Sequence, residues 1–454
     1  MIAMLDKQID RRAAQTDAPT ACHAPSTTRD GSDECFTPVD EVLEELRAGR
    51  LIVLVDDERR ENEGDLVVAA EKVTPEAINF MVRNGCGILG LALSQSLCER
   101  LHLEPLPTRN VDPQATPWTP HIDARIGITT GTSAHDRART VLTAIDERST
   151  PGDIVVGKGH VPCLRAREGG VIVRAGHTEG STDLARLAGL KAAAVICEIM
   201  TPQGQMARVP ALRDFSRQHH LKMCSIDALI KHRLKHEELI ARELTLTLPT
   251  RFGAFELTAY TCRGDPEPHF ALCMGDRTGV GSASRPFVDN EPVLVRIHSP
   301  CTTGELFGST LCDCGAQLER AMAQVAARGR GIVLYMRPEG RGGGLLPRLQ
   351  EYRWRKEEGH GAVAANTDFG HGSEVRQYGI GAQIIRDLGV RQVRLLTNEP
   401  RQMTDLEEYG IRVVERVSMQ IRPNPSPCDH PGTRSGQLGR LLNEVDWAAS
   451  PSRP

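Results

Sequence analysis

The chain has 454 residues, of which 40% are hydrophobic and 25% charged, with a formal net charge of −4. This length predicts two domains of roughly 200 residues each. The small negative charge and the aromatic content of 4% argue against a nucleic-acid-binding surface, and no apolar run is long enough to cross a membrane.

Both ends of the chain are predicted to lie outside the folded core. The segment 1–35 is rich in Asp, Thr, Arg and Ala and lacks the apolar core of a secretory signal, so we expect a disordered extension. A proline-rich tail at 423–454 is expected to be mobile. The 13 cysteines are scattered through apolar segments, which is typical of reduced thiols in a cytoplasmic protein.

Alternating strand and helix patterns predict a mixed α/β (α+β) domain over residues 36–236. Apolar residues at helical spacing begin after Thr37, and Leu51–Val55 is predicted to be a short buried strand. Thr74-Pro75 is a typical helix start, and Asn84-Gly85 a typical helix end.

Residues 237–247 are predicted to connect this unit to a second mixed α/β domain at 248–422. Three β-rich apolar runs predict strands there: Val293–Ile297, Ile332–Met336 and Val393–Thr397. Two helices are predicted from apolar faces, one with Leu318, Met322 and Val325, the other with Ile384, Ile385 and Leu388 before Gly389.

An acidic turn follows the first predicted strand. Asp56–Asp65 contains six carboxylates and two arginines in ten residues. A solvated charged loop is the ordinary interpretation of such a run. The flanking strands, Gly64 and the arginines, which offset the clustered acids, instead favour a divalent cation with a phosphorylated ligand.

A second cluster lies at Arg174–Glu179, directly before a predicted helix at Ser181–Leu190. It brings an arginine, a histidine and a threonine to a helix N-terminus, where phosphate and metals are commonly bound. A structural role for His177 is the alternative.

Five segments, in order along residues 36–236, resemble 3,4-dihydroxy-2-butanone 4-phosphate synthases. They are Arg60–Asp65, Gly127–Arg137, Gly159–Val161, Arg174–Glu179 and Cys197–Glu198. The resemblance implies that ribulose 5-phosphate is converted to 3,4-dihydroxy-2-butanone 4-phosphate and formate. Gly157-Lys158 and Pro162-Cys163 depart from the family pattern, but they affect the surroundings of the site more than its catalytic positions.

The same resemblance implies roles for individual residues. Glu61 and His177 would bind Mg²⁺ or Mn²⁺, which stabilises negative charge on the sugar oxygens. Proton transfer is assigned to Asp65, Glu198 and His160, with Arg137 near the phosphate. Substrate contacts are assigned to Arg60, Glu61, Asp65, Arg174, Thr178 and Glu198.

The spacing Cys301-x10-Cys312-x-Cys314 is the sharpest metal signal in the sequence. Three thiolates can bind Zn²⁺ and leave the fourth position for water, as in catalytic zinc sites. His298 is close in the sequence, so a closed structural site is an alternative.

Residues 248–422 resemble GTP cyclohydrolase II. The matching segments are Arg296–Ser299, Thr303–Ser309, Cys312–Leu318, Glu339–Gly342, Arg376–Gly381 and Leu396–Asn398. The resemblance implies zinc-dependent opening of the guanine ring of GTP, with 2,5-diamino-6-ribosylamino-4(3H)-pyrimidinone 5′-phosphate, formate and pyrophosphate as products.

By this resemblance, Glu374 takes the position of the proton acceptor, and Arg376 acts at the α-phosphate while Mg²⁺ assists pyrophosphate. GTP contacts are assigned to Arg296, His298, Gln317, Glu339, Gly340, Arg341 and Thr397. Both families are usually dimers, so a homodimer is expected.

The second half also departs from its family. At several positions this chain has a residue type that differs from the family's substrate contacts or, at Glu374, from its proton acceptor. These positions are Pro300, Ala362, Ala364, Glu374, Gln377, Glu399 and Gln402. Three interpretations remain open: impaired GTP hydrolysis, a different substrate such as a similar nucleotide or a different product, and a zinc-stabilised partner that stabilises or regulates the first half.

Overall fold

The computed structural model describes residues 36–58, 60–107, 117–263, 265–275, 287, 291–337, 345–346, 349–350, 352–353, 372–399 and 401–419. Of residues 266, 372–376 and 401 it describes the backbone alone. The extension predicted at 1–35 and the tail predicted at 423–454 therefore lie outside the described residues, as do Glu339, Gly340, Arg341, Ala362 and Ala364.

The first half is built on an eight-stranded sheet with the strand order β5-β4-β6-β3-β7-β2-β1-β8. Its strands are β1 Ile52–Val55, β2 Gly64–Ala69, β3 Gly90–Leu93, β4 Trp118–Ala124, β5 Ile154–Val156, β6 Val161–Arg165, β7 Ala193–Glu198 and β8 Lys222–Ser225. Strand β2 is antiparallel to β1 and β7, whereas β1 is parallel to β8 and β3 to β6. The sheet contains both parallel and antiparallel pairs, and the alternation of strands and helices confirms the predicted mixed α/β class.

Helices pack around this sheet. They are α1 Val39–Arg47, α2 Pro75–Phe80, α3 Gln95–Arg100, α4 Ala134–Ile145, α5 His177–Leu187, α6 Val209–His219 and α7 Ile226–His236. The predicted start of α2 is confirmed, because the Thr74 hydroxyl accepts a hydrogen bond from Ala77 N and Pro75 occupies the first turn. A π-helical turn follows α2 and ends at Gly85, after which Cys86 adopts a left-handed conformation.

The second half contains a seven-stranded sheet ordered β15-β14-β12-β13-β11-β10-β9. Its strands are β9 Ile240–Thr250, β10 Gly253–Cys262, β11 Asp265–Met274, β12 Val293–His298, β13 Gly331–Tyr335, β14 Gln392–Leu396 and β15 Arg412–Val417. The described helices are α8 Thr302–Glu305, α9 Cys314–Arg328, α10 Gly372–Asp387 and α11 Arg401–Glu408. The three predicted strands and both predicted helices of this half are confirmed.

The segment 237–247, predicted as a connection, is mostly strand in the structure. Strand β9 begins at Ile240 and pairs with β10, with Thr245 opposite Thr258. The alternation of Leu with Glu and Thr after Arg242 has the two-residue period of a strand. This period, rather than the polarity of the segment, determines its structure.

The two halves are packed together through α7 and α10. Leu234 of α7 lies so close to Gly379 of α10 that a Cβ at Gly379 would be 2.6 Å from a Leu234 methyl. The Gln383 side chain accepts a hydrogen bond from Leu239 N at 2.9 Å and donates to the carbonyls of Leu234 and Glu237. Helix α10, which begins near the predicted catalytic residues Glu374 and Arg376, is thereby anchored to the first half. No helix among the described residues is long and apolar enough to span a membrane.

Candidate active sites of the two halves

The acidic turn is organised by its first carboxylate, that of Asp56. This buried side chain accepts hydrogen bonds from Arg60 Nη1 at 2.8 Å, Glu61 N at 3.1 Å and Glu63 N at 2.8 Å. One carboxylate therefore accepts hydrogen bonds from two backbone amides of the turn and holds the Arg60 side chain beside it. The turn is an ordered element and not a loosely solvated loop.

Glu61 and His177 meet across the turn. Glu61 Oε2 lies 3.6 Å from His177 Nδ1, and ligand atoms of Asp56, Glu61 and His177 all lie within 4.8 Å of one another. The interaction with the His177 ring, together with the positive charge of Arg60, lowers the pKa of Glu61 to about 2. Burial favours a neutral His177 ring, but the carboxylates of Asp65 and Glu61 outweigh it and raise the pKa of His177 to about 9.

Asp65 and Glu198 lie directly opposite each other on the neighbouring strands β2 and β7. Opposite residues of an antiparallel pair share one face of the sheet. Burial raises the pKa of Asp65 to about 7, so this carboxyl can carry a proton near neutral pH. The Glu198 carboxylate is fixed by a 2.7 Å hydrogen bond from Ile88 N, and a Cβ at Gly87 would lie only 2.5 Å from its Oε2.

A cationic corner forms where the chain enters α5. A Cβ at Gly176 would collide with Arg174 Nη1 and would lie 3.0 Å from Arg60 Nη2, so both guanidinium groups approach this glycine. Arg174 is 1% exposed and donates to Glu179 Oε2 at 2.6 Å, while Thr178 is buried beside it. The predicted substrate contacts Arg60, Arg174 and Thr178 thus lie at the start of α5, whose first residue is His177.

His160 is held by a partner that the sequence did not indicate. Asp123 Oδ2 lies 2.7 Å from His160 Nδ1, and Asp123 Oδ1 accepts a hydrogen bond from His160 N at 3.0 Å. His160 directly precedes β6. Strand β3 is parallel to β6 and antiparallel to β7, so the start of β6 lies at the same end of the sheet as the end of β7, where Glu198 faces Asp65. No described hydrogen bond or ion pair joins His160 to either of these carboxylates.

In the second half, Cys301, Cys312 and Cys314 converge as predicted. Their sulfur atoms lie within 4.8 Å of one another, and the Cys301 and Cys312 Sγ atoms are 3.7 Å apart. A Cβ at Gly304 would lie 2.7 Å from Cys312 Sγ, so the loop can close around the thiols only with glycine there. Hydrogen bonds from the other two thiols lower the pKa of Cys312, which favours the thiolate that binds metals.

Polar residues predicted to contact a nucleotide lie close to the thiols. Arg296 is 8% exposed and donates to Gln317 Oε1 at 2.7 Å and to Leu396 O at 3.0 Å. Thr397 follows β14 and is buried. His298 Nε2 lies 2.9 Å from Glu305 Oε1, and His298 does not belong to the cysteine group.

The start of α10 approaches the same loop. Ser299 Oγ donates to Gln377 Oε1 at 2.8 Å. Glu374 and Arg376 belong to the first turns of this helix, although their side chains lie outside the described residues. The hydrogen bond between Ser299 and Gln377 therefore brings the predicted catalytic segment to the cysteine loop.

Comparisons with known proteins match both halves. Residues 40–232 match the family profile of 3,4-dihydroxy-2-butanone 4-phosphate synthase, and residues 241–418 match that of GTP cyclohydrolase II. The chain is 47% identical over 410 residues to the riboflavin biosynthesis protein RibBA of Aquifex aeolicus (strain VF5), covering 90% of this chain and 98% of that protein. It is 46% identical over 408 residues to RibBA of Bacillus subtilis (strain 168), covering 90% of this chain and 100% of that one.

The chain belongs to the RibBA family of riboflavin biosynthesis proteins. It is an enzyme of riboflavin biosynthesis with a 3,4-dihydroxy-2-butanone 4-phosphate synthase domain and a GTP cyclohydrolase II domain. A solved structure from A. baumannii, RibBX, described as a two-domain 3,4-dihydroxy-2-butanone 4-phosphate synthase, is also similar. It has 34% identity and a TM-score of 0.67, and the match covers 85% of this chain and 100% of that chain.

Three residues of this RibBA-family chain join the sites although the motifs did not single them out. Asp56 belongs to the Glu61 and His177 group. Arg208 Nη1 donates to the carbonyl oxygen of Glu61 at 2.6 Å and also to that of Asn62. The Tyr352 hydroxyl lies 3.1 Å from Thr303 Oγ1, next to Cys301. Of these three residues, only Asp56 could have been found from the sequence nearby, because it is the first carboxylate after a predicted buried strand.

Proposed function

We propose that the first domain, which ends with α7 at His236, converts ribulose 5-phosphate to 3,4-dihydroxy-2-butanone 4-phosphate and formate with Mg²⁺ or Mn²⁺. The second domain, which begins with β9 at Ile240, opens GTP to 2,5-diamino-6-ribosylamino-4(3H)-pyrimidinone 5′-phosphate, formate and pyrophosphate with Zn²⁺. The observation that carries the proposal is the pairing of two distinct metal-ligand groups in one chain, an Asp-Glu-His group and a three-cysteine group.

The residues of the first domain fit a divalent cation. Asp65 Oδ1 and His177 Nε2 are buried 4.0 Å apart, and neither atom has a hydrogen-bond partner among the described residues. Asp56 and Glu61 add the carboxylate oxygens that Mg²⁺ prefers. When bound, the cation would polarise the sugar oxygens and stabilise developing negative charge.

Protein side chains would perform the remaining steps in the first domain. Asp65, with its pKa of about 7, would accept a carbon-bound proton and return it, and Glu198 opposite would serve the second proton transfer. Arg60 and Arg174 would hold the phosphate end of the substrate. His160, oriented by Asp123, would take part in proton transfer at the same end of the sheet as Asp65 and Glu198.

Metal binding in the first domain should release a proton. Because the pKa of His177 is about 9, the ring is protonated at pH 7.5 and must lose that proton before it binds a cation. We expect the Mn²⁺ affinity to rise by about tenfold per pH unit up to the pKa and to fall as the pH is lowered. Calorimetric titration at pH 7.5 in two buffers of different ionisation enthalpy should give about one released proton.

A proton count near zero in that titration would contradict the proposed ligand role of His177. His160→Gln is the matched control, because it removes a histidine that is bonded to Asp123 and lies outside the metal-ligand group. This variant should release as many protons as the parent protein.

Arg208 should be needed to hold Glu61 in its metal-binding position. Asp56 binds the Glu61 and Glu63 amides of the acidic turn, whereas Arg208 binds the carbonyls of Glu61 and Asn62. We expect Arg208→Ala to weaken Mn²⁺ binding by about 10–100-fold, as for other residues that orient metal ligands. Electron paramagnetic resonance of free Mn²⁺ measures this, with the exposed Arg217→Ala on α6 as control; equal affinity in both variants would exclude the role.

The residues of the second domain fit zinc with an available coordination position. Three sulfur atoms converge and the only histidine close to them in the sequence, His298, is bonded elsewhere. When bound, zinc would supply a water of lowered pKa to attack the guanine ring. Arg296, Gln317 and Thr397 would contact the nucleotide, together with Glu339, Gly340 and Arg341. Glu374 and Arg376 would act as proton acceptor and at the α-phosphate, where Mg²⁺ assists pyrophosphate.

A second candidate function for this domain is that of a non-catalytic partner of the synthase. The observation that favours it is the anchoring of α10 to α7 by Gln383, which couples the second domain to the first independently of any substrate. Pro300 and Gln377 also replace residue types that bind substrate in the family.

Formate release from each substrate separates these functions. Purified chain loaded with Zn²⁺ and Mg²⁺ is assayed separately with ribulose 5-phosphate and with GTP. Formate from both substrates is the expected result. Formate from ribulose 5-phosphate alone would support the second candidate, and formate from neither would refute the proposal.

A further inference from the structure

The Glu305 carboxylate accepts hydrogen bonds from three different parts of the second domain. His298 Nε2 at the end of β12 lies 2.9 Å from Oε1, and the backbone amide of Cys301 donates to the same oxygen at 2.7 Å. The Tyr335 hydroxyl at the end of β13 donates to Oε2 at 2.7 Å. The Glu305 side chain is only 13% exposed, so these interactions form in a largely dry environment.

His298 is the residue whose position matters most in this arrangement. Its ring is 2% exposed, stacks against Tyr335, and has no described partner for Nδ1. It lies three positions before Cys301 and within electrostatic reach of that thiol. Structural zinc sites take a fourth Cys or His, whereas catalytic sites leave this position to water.

We propose that Glu305 is a positioning residue that keeps the cysteine site open. Its carboxylate holds His298 Nε2 away from the thiols and fixes the Cys301 backbone, so that a bound zinc ion retains a coordination position for a small ligand. The proposal rests on the proposed function of the three cysteines as a zinc site and goes beyond it in naming what prevents closure.

Two contacts make this assignment specific. The hydrogen bonds from Cys301 N and from His298 Nε2 go to the same oxygen, Glu305 Oε1. One carboxylate therefore fixes the position of Cys301, a proposed zinc ligand, and of His298, which could compete for the remaining coordination position. Removing the carboxylate takes away the partner of Nε2, so neither ring nitrogen of this buried histidine then has a described hydrogen-bond partner, which is costly. The metal then becomes the most favourable partner for the ring.

Cobalt substitution provides the test, because Co²⁺ absorption in the visible range reports the ligands of the metal. The parent protein with Co²⁺ should shift its absorption bands when azide is added, since azide enters the available position. In Glu305→Ala the bands should change and the azide-induced shift should be lost, because His298 occupies that position. The double variant Glu305→Ala/His298→Ala should recover the azide-induced shift.

The matched control is Glu319→Ala, which removes an exposed glutamate of α9 that pairs with Arg251. It should behave as the parent protein. An azide response retained in Glu305→Ala, metal lost from it, or a response lost equally in the double variant would each overturn the role of Glu305. If the parent protein takes up no Co²⁺ at the cysteines, the proposed zinc site itself fails, and the Glu305 inference fails with it.

Discussion

Replacing Glu61 by Gln should reduce formate release from ribulose 5-phosphate by ~10³-fold or more and leave formate release from GTP unchanged. Glu61 faces His177 at 3.6 Å and belongs to the Asp56 and His177 group. The amide keeps the size of the side chain but removes the negative charge that attracts the cation. Charge stabilisation by a metal contributes several kcal/mol, and each 1.36 kcal/mol corresponds to a tenfold change in rate.

The control for this prediction is Glu58→Gln. Glu58 is an exposed carboxylate of the same turn that does not belong to the metal-ligand group. It loses the same charge, so general electrostatic effects on the turn are matched. Mn²⁺ binding should be lost in Glu61→Gln and retained in Glu58→Gln. Undiminished synthase activity in Glu61→Gln would show that the cation, if required, is bound elsewhere.

Features that depend on short stretches of sequence were predictable. The start of α2 at Thr74 and Pro75 follows from the chemistry of a helix N-terminus. The proximity of Cys312 and Cys314 follows from their spacing of two residues. Cys301 joins them because Gly304 lets the intervening loop pass close to the Cys312 sulfur. The mixed α/β class follows from the alternation of strand and helix periods.

Contacts between distant segments were not predictable from one sequence. Arg208 binds the Glu61 carbonyl across 147 positions, and Asp123 orients His160 across 37. Neither pair has a spacing that marks it, because the contact arises only after the strands have paired. The opposition of Asp65 and Glu198 likewise depends on the register of β2 against β7.

The segment at the junction of the domains was predicted as a connection and is mostly strand. The residues after Arg242 alternate Leu with Glu and Thr, which is the period of a strand. Their pairing with β10 makes them an edge strand, on which Leu244 and Leu246 are 51% and 42% exposed. A two-residue period is stronger information than mean polarity when the segment can pair with a neighbouring strand.

Replacing Cys314 by Ser should remove zinc from the protein and reduce formate release from GTP by ~10³-fold or more, while formate release from ribulose 5-phosphate persists. Cys314 is the first residue of α9, and its sulfur belongs to the three-cysteine group. Serine keeps the shape of the side chain but offers a hydroxyl that ionises far less readily than a thiol. Two thiolates hold zinc weakly, and without the metal the attacking water loses its activation, which contributes several kcal/mol.

Cys86→Ser is the matched control, because Cys86 is an exposed free thiol of the first domain. Zinc content by elemental analysis and GTP-derived formate should be unchanged in this variant. Zinc at one ion per chain in Cys314→Ser would contradict the proposed ligand set. Loss of synthase activity together with zinc would instead mean that the metal stabilises both domains, since α10 of the second domain packs against α7 of the first through Gln383. The two formate assays on one variant therefore distinguish a zinc ion that serves the second domain alone from one that stabilises both domains.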